Sequence, residues 1–89
     1  MSGELRSEHD LASARVQALA AIERLSVDQH LGELIIVDAG IVETPDAWYF
    51  PYDSAAFVLR GDVSSALAGN IPVRVARDGS GLRFEQPKM

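Results

Sequence analysis

Four carboxylates lie close together in the middle of this 89-residue chain, and they are the side chains best suited to acid–base chemistry. They are Asp38, Glu43, Asp46 and Asp53. Two carboxyl groups that are buried together can act as a general acid and a general base. Turns also recruit Asp and Glu for local hydrogen bonds. The sequence therefore favours a solvated hairpin rim over a catalytic pair.

Nucleophilic and metal chemistry find little support in the sequence. The chain has no cysteine, and its two histidines, His9 and His30, lack the spacing of metal ligands. No serine lies in a Gly-x-Ser-x-Gly turn. The Asp78-Gly79-Ser80-Gly81 segment lacks the distal ligands of a calcium loop. We therefore expect no catalytic residue, no metal site and no cofactor, and hence a protein that is not an enzyme.

Aromatic residues are concentrated in one short segment that begins at Trp48 and includes the only Trp and both Tyr residues. Trp48, Phe50 and Tyr52 alternate with Tyr49 and Pro51, so a strand here sends the two sets to opposite faces. Core packing accounts for much of such a pattern. Aromatic residues on an exposed face would anchor a partner. Trp48, Tyr49 and Tyr52 are therefore predicted to contact a partner or to support that contact, together with the four carboxylates.

Composition limits the classes of partner and the size of the fold. The net charge of −5 disfavours nucleic acid and favours a basic partner. No apolar run approaches the roughly 20 residues of a membrane span, and the N-terminus lacks the apolar segment of a secretory signal. The absence of cysteine fits a reducing cytoplasm. Residues 1–89 are predicted to form one domain, with flexible ends at residues 1–6 and 86–89.

The N-terminal part of the chain has the periodicity of an amphipathic helix from Ser7 to about Leu25. Its apolar residues recur at three- and four-residue steps: Leu11, Ala14, Ala18, Ile22 and Leu25. Ser7 is the predicted N-cap, with Asp10 as the acid of a capping box. The segment from Ser26 to Gly32 is predicted to be the exit loop, where Gly32 can adopt a left-handed conformation.

Four strands are predicted after the helix. Their bounds are Leu34 to Val42, Ala47 to Tyr52, Ile71 to Ala76, and Leu82 to Glu85. Ile71, Val73, Val75, Leu82 and Phe84 are expected to point inward. The first two strands should pair antiparallel, and Gly40 indicates a bulge or a close backbone approach. This order predicts an α+β fold with the N-terminal helix packed on a four-stranded, mainly antiparallel sheet.

Two connections complete the prediction. Ser54 to Leu59 is expected to be a bent strand or an irregular segment, and Val63 to Ala68 a helical turn that Gly69 ends. Arg77 to Gly81 is predicted to form a hairpin loop, because Asp-Gly is a strong turn signal.

Two motifs together resemble one known family. Trp48-Tyr49-Phe50 is followed by Leu67-Ala68-Gly69-Asn70-Ile71-Pro72 and then by a strand with an Asp-Gly hairpin. This order resembles the YrhB-like family, also called immunity protein 35, over about residues 10 to 84. The resemblance implies a small cytoplasmic α+β protein without known enzymatic activity, associated with bacterial polymorphic toxin loci. A related branch is described as heat-stable and chaperone-like.

Within that resemblance, Gly69, Asn70 and Pro72 form a structural motif rather than a contact surface. Asn70 is expected to hydrogen-bond nearby backbone and to fix the aromatic strand against its neighbour.

The leading hypothesis for function is a binding protein that occludes a cognate toxin through an acidic, partly aromatic face. The alternative is a chaperone-like protein that binds unfolded or partner chains through exposed apolar surface. A homodimer is also possible, because the sheet has two edges that another strand can join. Neither a nucleic acid nor a membrane is an expected partner.

Overall fold

An N-terminal helix and short antiparallel strands form an α+β fold in the computed structural model, which describes residues 10–67 and 70–87. The helices and strands of these residues are α1 (Leu11–Gln29), β1 (Leu34–Ile36), β2 (Val42–Glu43), β3 (Ala47–Phe50), β4 (Tyr52–Ser54), α2 (Ala55–Arg60), β5 (Val73–Ala76) and β6 (Leu82–Phe84). Two 3₁₀ turns lie at Asp38–Gly40 and Val63–Ser65. The predicted fold class is confirmed.

Helix α1 begins later than its periodicity suggested. Asp10 has an extended backbone, and its side chain accepts a hydrogen bond from the N–H of Ser13 at 2.8 Å. An N-cap with this geometry satisfies one of the free N–H groups of the first turn. The predicted start at Ser7 is therefore wrong, and Asp10 is the cap rather than the acid of a capping box. Ser7 itself lies outside the described residues.

The apolar stripe of α1 packs on the sheet as its spacing predicted. Its fully buried residues are Ala14, Ala18 and Ile22. The helix continues past Leu25 to Gln29 and ends at His30, which adopts a left-handed conformation with φ of 56°. His30 is exposed, and Gly32 has the predicted positive φ. The exit loop is thus shorter than expected.

The first two predicted strands form one bent antiparallel hairpin. β1 pairs with β4 and β2 pairs with β3, which confirms the predicted pairing. The first strand is interrupted by the 3₁₀ turn at Asp38–Gly40, opposite Pro51. Pro51 has no N–H to donate to a ladder, and its carbonyl accepts from the N–H of Val37 at 2.9 Å. A Cβ at Gly40 would lie 3.0 Å from Cγ of Pro51, so the predicted close approach is present.

The larger sheet has the strand order β2-β3-β5-β6 and is antiparallel throughout. Trp48 lies opposite Val75 and Phe50 lies opposite Val73, so all four side chains share one face. These residues join the core that α1 covers. Burial of each large apolar side chain contributes about 1.5–3 kcal/mol. The opposite face carries Tyr49 and Arg74, which lie opposite each other.

The segment after β4 differs from its prediction. Ser54 to Leu59 was expected to be extended or irregular, but Ala55–Arg60 is helix α2. The hydroxyl of Ser54 accepts from the N–H of Phe57 at 3.0 Å and so caps this helix. Gly61 ends it with φ of 71°. The predicted turn after it is present at Val63–Ser65, whereas Ala68 and Gly69 lie outside the described residues.

Three apolar side chains that were predicted to point inward are instead exposed. Ile71, Leu82 and Phe84 each keep about two fifths of their surface accessible. Leu82 and Phe84 do lie on the α1 side of the sheet, because they are opposite Val75 and Val73. β6 is an edge strand, however, so no strand flanks it on its outer side. Among the helices of residues 10–67 and 70–87, none is long and apolar enough to cross a bilayer.

Candidate functional site

A groove of about 420 Å³ runs across one end of the larger sheet, where β3 ends and β5 begins. Both arms of the bent hairpin, the segment before β5 and the segment after β6 supply its walls. The lining residues are Val37, Gly40, Val42, Tyr49, Pro51, Tyr52, Asp53, Asn70, Pro72, Gln86 and Pro87. The fold therefore joins the aromatic strand to the Asn70-x-Pro72 segment at one site.

Tyrosines form part of the groove wall, although little of either ring is accessible. Tyr49 is 6% exposed, and its hydroxyl accepts from Nε of Arg74 at 3.2 Å. Tyr52 is also buried, and its ring meets Phe84 edge-on with 6.2 Å between centroids. Burial raises the pKa of the Tyr52 hydroxyl above its ordinary value. These rings therefore shape the groove wall while little of their own surface is accessible.

Trp48 does not line this groove. It is 3% exposed on the opposite face of the sheet, and Cζ of Arg77 lies 4.3 Å from the centroid of its ring. Nε of Arg77 also donates to the carbonyl of Thr44 at 2.7 Å, which holds the guanidinium over the indole. Little of the Trp48 side chain is therefore accessible to a partner in this conformation. Its place is that of a supporting core residue.

Two polar groups fix the groove to the chain segment that follows α2. Oδ1 of Asp53 accepts from the N–H of Ser54 at 2.7 Å and from the N–H of Leu67 at 2.8 Å. The amide of Asn70 donates to the carbonyl of Tyr52, the kind of backbone contact expected for this residue. Pro72 lines the groove. Asp53 thus acts first as a structural acceptor, and Gly69 lies outside the described residues.

Asp38 and Glu43 each form an ion pair with a different arginine. Both oxygens of Asp38 accept from Arg15, at 2.8 and 2.9 Å. These hydrogen bonds lower the pKa of Asp38 and raise that of Arg15. Glu43 lies 3.5 Å from a guanidinium nitrogen of Arg77, and Asp46 is exposed. Within residues 10–67 and 70–87, no cluster of three or more His, Cys, Asp or Glu side chains could hold a metal ion.

The sequence analysis missed that three prolines together form a wall of the groove. Three of the four prolines, Pro51, Pro72 and Pro87, converge on the groove. Pro72 was predicted to belong to a structural motif, Pro51 was placed on one face of the aromatic strand, and Pro87 was not considered. Proline collects at strand ends because it cannot donate to a ladder. Three such ends that meet at one edge of a sheet therefore give a rigid, apolar wall, and this was the available signal.

Comparison with known proteins returns no relative for this chain. No family model matches the sequence, and neither the curated proteins nor the solved structures include a significant match.

Proposed function

We propose that this chain is a non-enzymatic protein-binding domain and, in line with its resemblance to the YrhB-like family, an immunity protein that occludes a cognate toxin. The observation that carries the proposal is the groove. It lies at the end of a sheet whose other face is already used by α1, and it unites the two motifs that carry the resemblance.

The shape of the groove suits one or two anchoring side chains of a partner. Its volume of about 420 Å³ exceeds that of a single side chain, and its walls include three prolines and Val42. Proline walls are already ordered before binding, so little conformational entropy is lost when a partner docks. Anchors in such pockets supply most of the affinity of many protein interfaces. An aromatic or long aliphatic side chain of the partner fits this description.

Charge would act mainly on the rate of association. The chain carries a net charge of −5, but Asp38 and Glu43 already form ion pairs with Arg15 and Arg77. These two carboxylates are less available to a partner than the sequence suggested. The overall acidity still attracts a basic protein over a distance, which speeds encounter more than it tightens the complex.

A chaperone-like role is the second candidate, and a different surface favours it. Val58, Leu59 and Val63 are exposed on α2 and on the turn that follows it. These three side chains lie within six residues of one another. Exposed apolar surface can bind other apolar chains. This surface lies outside the groove, so the two functions can be separated by substitution.

Co-expression tests the proposal. Each neighbouring open reading frame is induced alone, with this chain, and with two variants, Val42→Arg and Val27→Arg. Val42 lines the groove, whereas Val27 is an exposed residue of α1 and makes a matched control. We expect one product to be toxic, the wild type and Val27→Arg to restore growth, and Val42→Arg to fail. The immunity proposal is wrong if no product is toxic or bound, or if Val42→Arg protects as well as the wild type.

The chaperone-like candidate has its own measurement. Light scattering follows the thermal aggregation of unrelated proteins at an equimolar ratio of this chain. Suppression that Leu59→Lys removes and Val42→Arg leaves intact would favour the second candidate. No suppression by the wild type would eliminate it.

A further inference from the structure

Strand β6 presents hydrogen-bonding groups at the edge of the larger sheet. The N–H of Ala76 donates to the carbonyl of Gly81 at 3.0 Å. Ala76 and Gly81 are therefore a hydrogen-bonded pair. Because the two kinds of pair alternate along antiparallel strands, the next pair, Val75 with Leu82, is a non-hydrogen-bonded pair. The pattern alternates, and therefore Arg83 exchanges bonds with β5, whereas Phe84 does not. The N–H and C=O groups of Leu82 and Phe84 point outward, toward the position of a further strand.

The side chains of this edge are apolar on the same side as α1. Leu82 is 39% exposed and Phe84 is 41% exposed. A cavity of about 400 Å³ lies between Leu82 and α1, where Ala20 and Ala21 form part of its wall. Outward backbone groups beside exposed apolar side chains make a template for strand addition.

We infer that β6 pairs antiparallel with β6 of a second copy of this chain, in a register centred on Phe84. The charges next to Phe84 argue for this occupant. Arg83 and Glu85 flank it with opposite sign, so a two-fold axis through Phe84 places each Arg83 opposite Glu85 of the second copy. Both attractive pairs form in the same dimer. The sequence Arg-Phe-Glu is thus complementary to itself when it runs antiparallel.

Other two-fold registers lack this match. An axis through Arg83 places two guanidinium groups directly opposite each other, and like charges at that position are destabilising. An axis through Leu82 places Arg83 opposite Gly81 and leaves its charge without a cross-strand partner.

The chain beyond β6 is compatible with the register centred on Phe84. Leu82 then exchanges backbone bonds with Gln86 of the second copy, which gives about six new hydrogen bonds in the dimer. The N–H of Glu85 still donates to the carbonyl of Pro72 at 3.0 Å within its own chain, so the ladder of β5 extends this far. Pro87 lies opposite Gly81 of the second copy in a non-hydrogen-bonded pair, so the absence of an N–H on Pro87 removes no hydrogen bond between the copies.

Within one chain, Arg83 and Glu85 already form a 2.5 Å ion pair on the strand surface. An exposed pair of this kind contributes little to stability. Exchange of this contact for a cross-strand pair therefore costs the monomer little. Gln86 and Pro87 belong both to the groove and to the proposed dimer edge. Val42, the residue used to test the groove, lies on the opposite edge strand, so Val42→Arg and the substitutions of Arg83 and Glu85 test the two proposals separately.

Sedimentation equilibrium of the full chain tests the inference. The wild type is expected at twice the 9.6 kDa monomer mass. Arg83→Glu and Glu85→Arg each replace two attractive pairs by two repulsive ones, and each should weaken the dimer about tenfold or more. The double variant, Arg83→Glu with Glu85→Arg, should recover the affinity of the wild type. An equimolar mixture of the two single variants should form a heterodimer with restored pairs.

Far-ultraviolet circular dichroism of every variant establishes that it folds. A monomeric wild type at millimolar concentration would overturn the inference. Dimers that form equally well in the wild type and in both folded single variants would also overturn it, because they would place the interface elsewhere. Capture of a strand from a different protein at β6, with the wild type monomeric alone, counts against self-pairing as well.

Discussion

Gly40 packs closely against Pro51 at the bend of the hairpin, and replacement of Gly40 by Ala tests how tightly the two residues fit. The new Cβ would lie 3.0 Å from Cγ of Pro51, while Cγ1 of Val37 would be at an ordinary 4.0 Å. Carbon atoms prefer separations of about 3.5–4.0 Å. One rigid proline ring, or the backbone that carries it, must therefore move by roughly half an ångström.

The expected loss of stability follows from two opposing terms. Overpacking of a tight site costs about 1–3 kcal/mol. Alanine also lowers the conformational entropy of the unfolded chain, which stabilises the folded state by about 0.4–1 kcal/mol where alanine can adopt the native backbone conformation. Gly40 does not have a positive φ, so this second term applies. Gly40→Ala should therefore lower the free energy of unfolding by about 0.5–2 kcal/mol and the Tm by about 4–8 °C per kcal/mol.

Urea unfolding, followed by the fluorescence of Trp48, measures this loss in two backgrounds. In a chain that already carries Pro51→Ala, the ring carbon that causes the clash is absent. Gly40→Ala should then cost nothing or become slightly stabilising. A cost of Gly40→Ala that is equal in the two backgrounds would refute the clash as its cause, because the double-mutant cycle would show no coupling.

Three further changes should perturb stability or titration in defined directions. The lowered pKa of Asp38 stabilises the folded state above about pH 4, by at most about 1 kcal/mol because the ion pair is exposed, and this stabilisation is lost as the pH falls further. In Arg15→Gln, the midpoint of urea unfolding should therefore change less between about pH 5 and pH 2 than it does in the wild type. Because the pKa of Tyr52 is raised, its protonated hydroxyl favours the folded state below about pH 10, and this contribution to stability is lost as the pH rises further. Absorbance at about 295 nm should show one phenol that ionises at higher pH than the other, and Tyr52→Phe should remove this step. Asp53→Ala should lower the free energy of unfolding, measured in urea, by about 1–3 kcal/mol, because the N–H of Leu67 loses its acceptor. Asp53→Asn should lower it less, and equal losses in the two variants would contradict a hydrogen-bonding role.

Periodicity was enough to predict the parts of the fold that form a repeating apolar face. The buried stripe of α1 at Ala14, Ala18 and Ile22 follows from three- and four-residue spacing. The inward positions of Val73 and Val75 follow from two-residue alternation. Local patterns of this kind report which side of an element is buried, because burial of apolar surface is the dominant favourable term in folding.

Exposure at the sheet edge could not be predicted in the same way. Alternation correctly places Leu82 and Phe84 on the side of α1, but it does not reveal that β6 lacks an outer neighbour. Helix α2 was missed because its six residues are too short for a periodic signal. Its cap signal was present, since Ser54 precedes Ala55 and Gly61 follows Arg60.

The groove required tertiary structure. Tyr49 and Pro72 are far apart in the sequence, and only the pairing of β3 with β5 brings their segments together. The resemblance to a family linked the same two segments without indicating a shared surface. Trp48 was predicted either to contact a partner or to support that contact, and alternation along the strand did not decide between these roles. In the fold it lies opposite Val75 in the core.

Isothermal titration of this chain with the purified product of a toxic neighbouring reading frame tests the groove most directly. The account predicts a stoichiometric complex, with Val42→Arg weakening it by at least about tenfold, as expected for a change beside a buried anchor. Val27→Arg, on the exposed surface of α1, should bind like the wild type. Equal affinity for Val42→Arg, Val27→Arg and the wild type would contradict the groove as the binding surface.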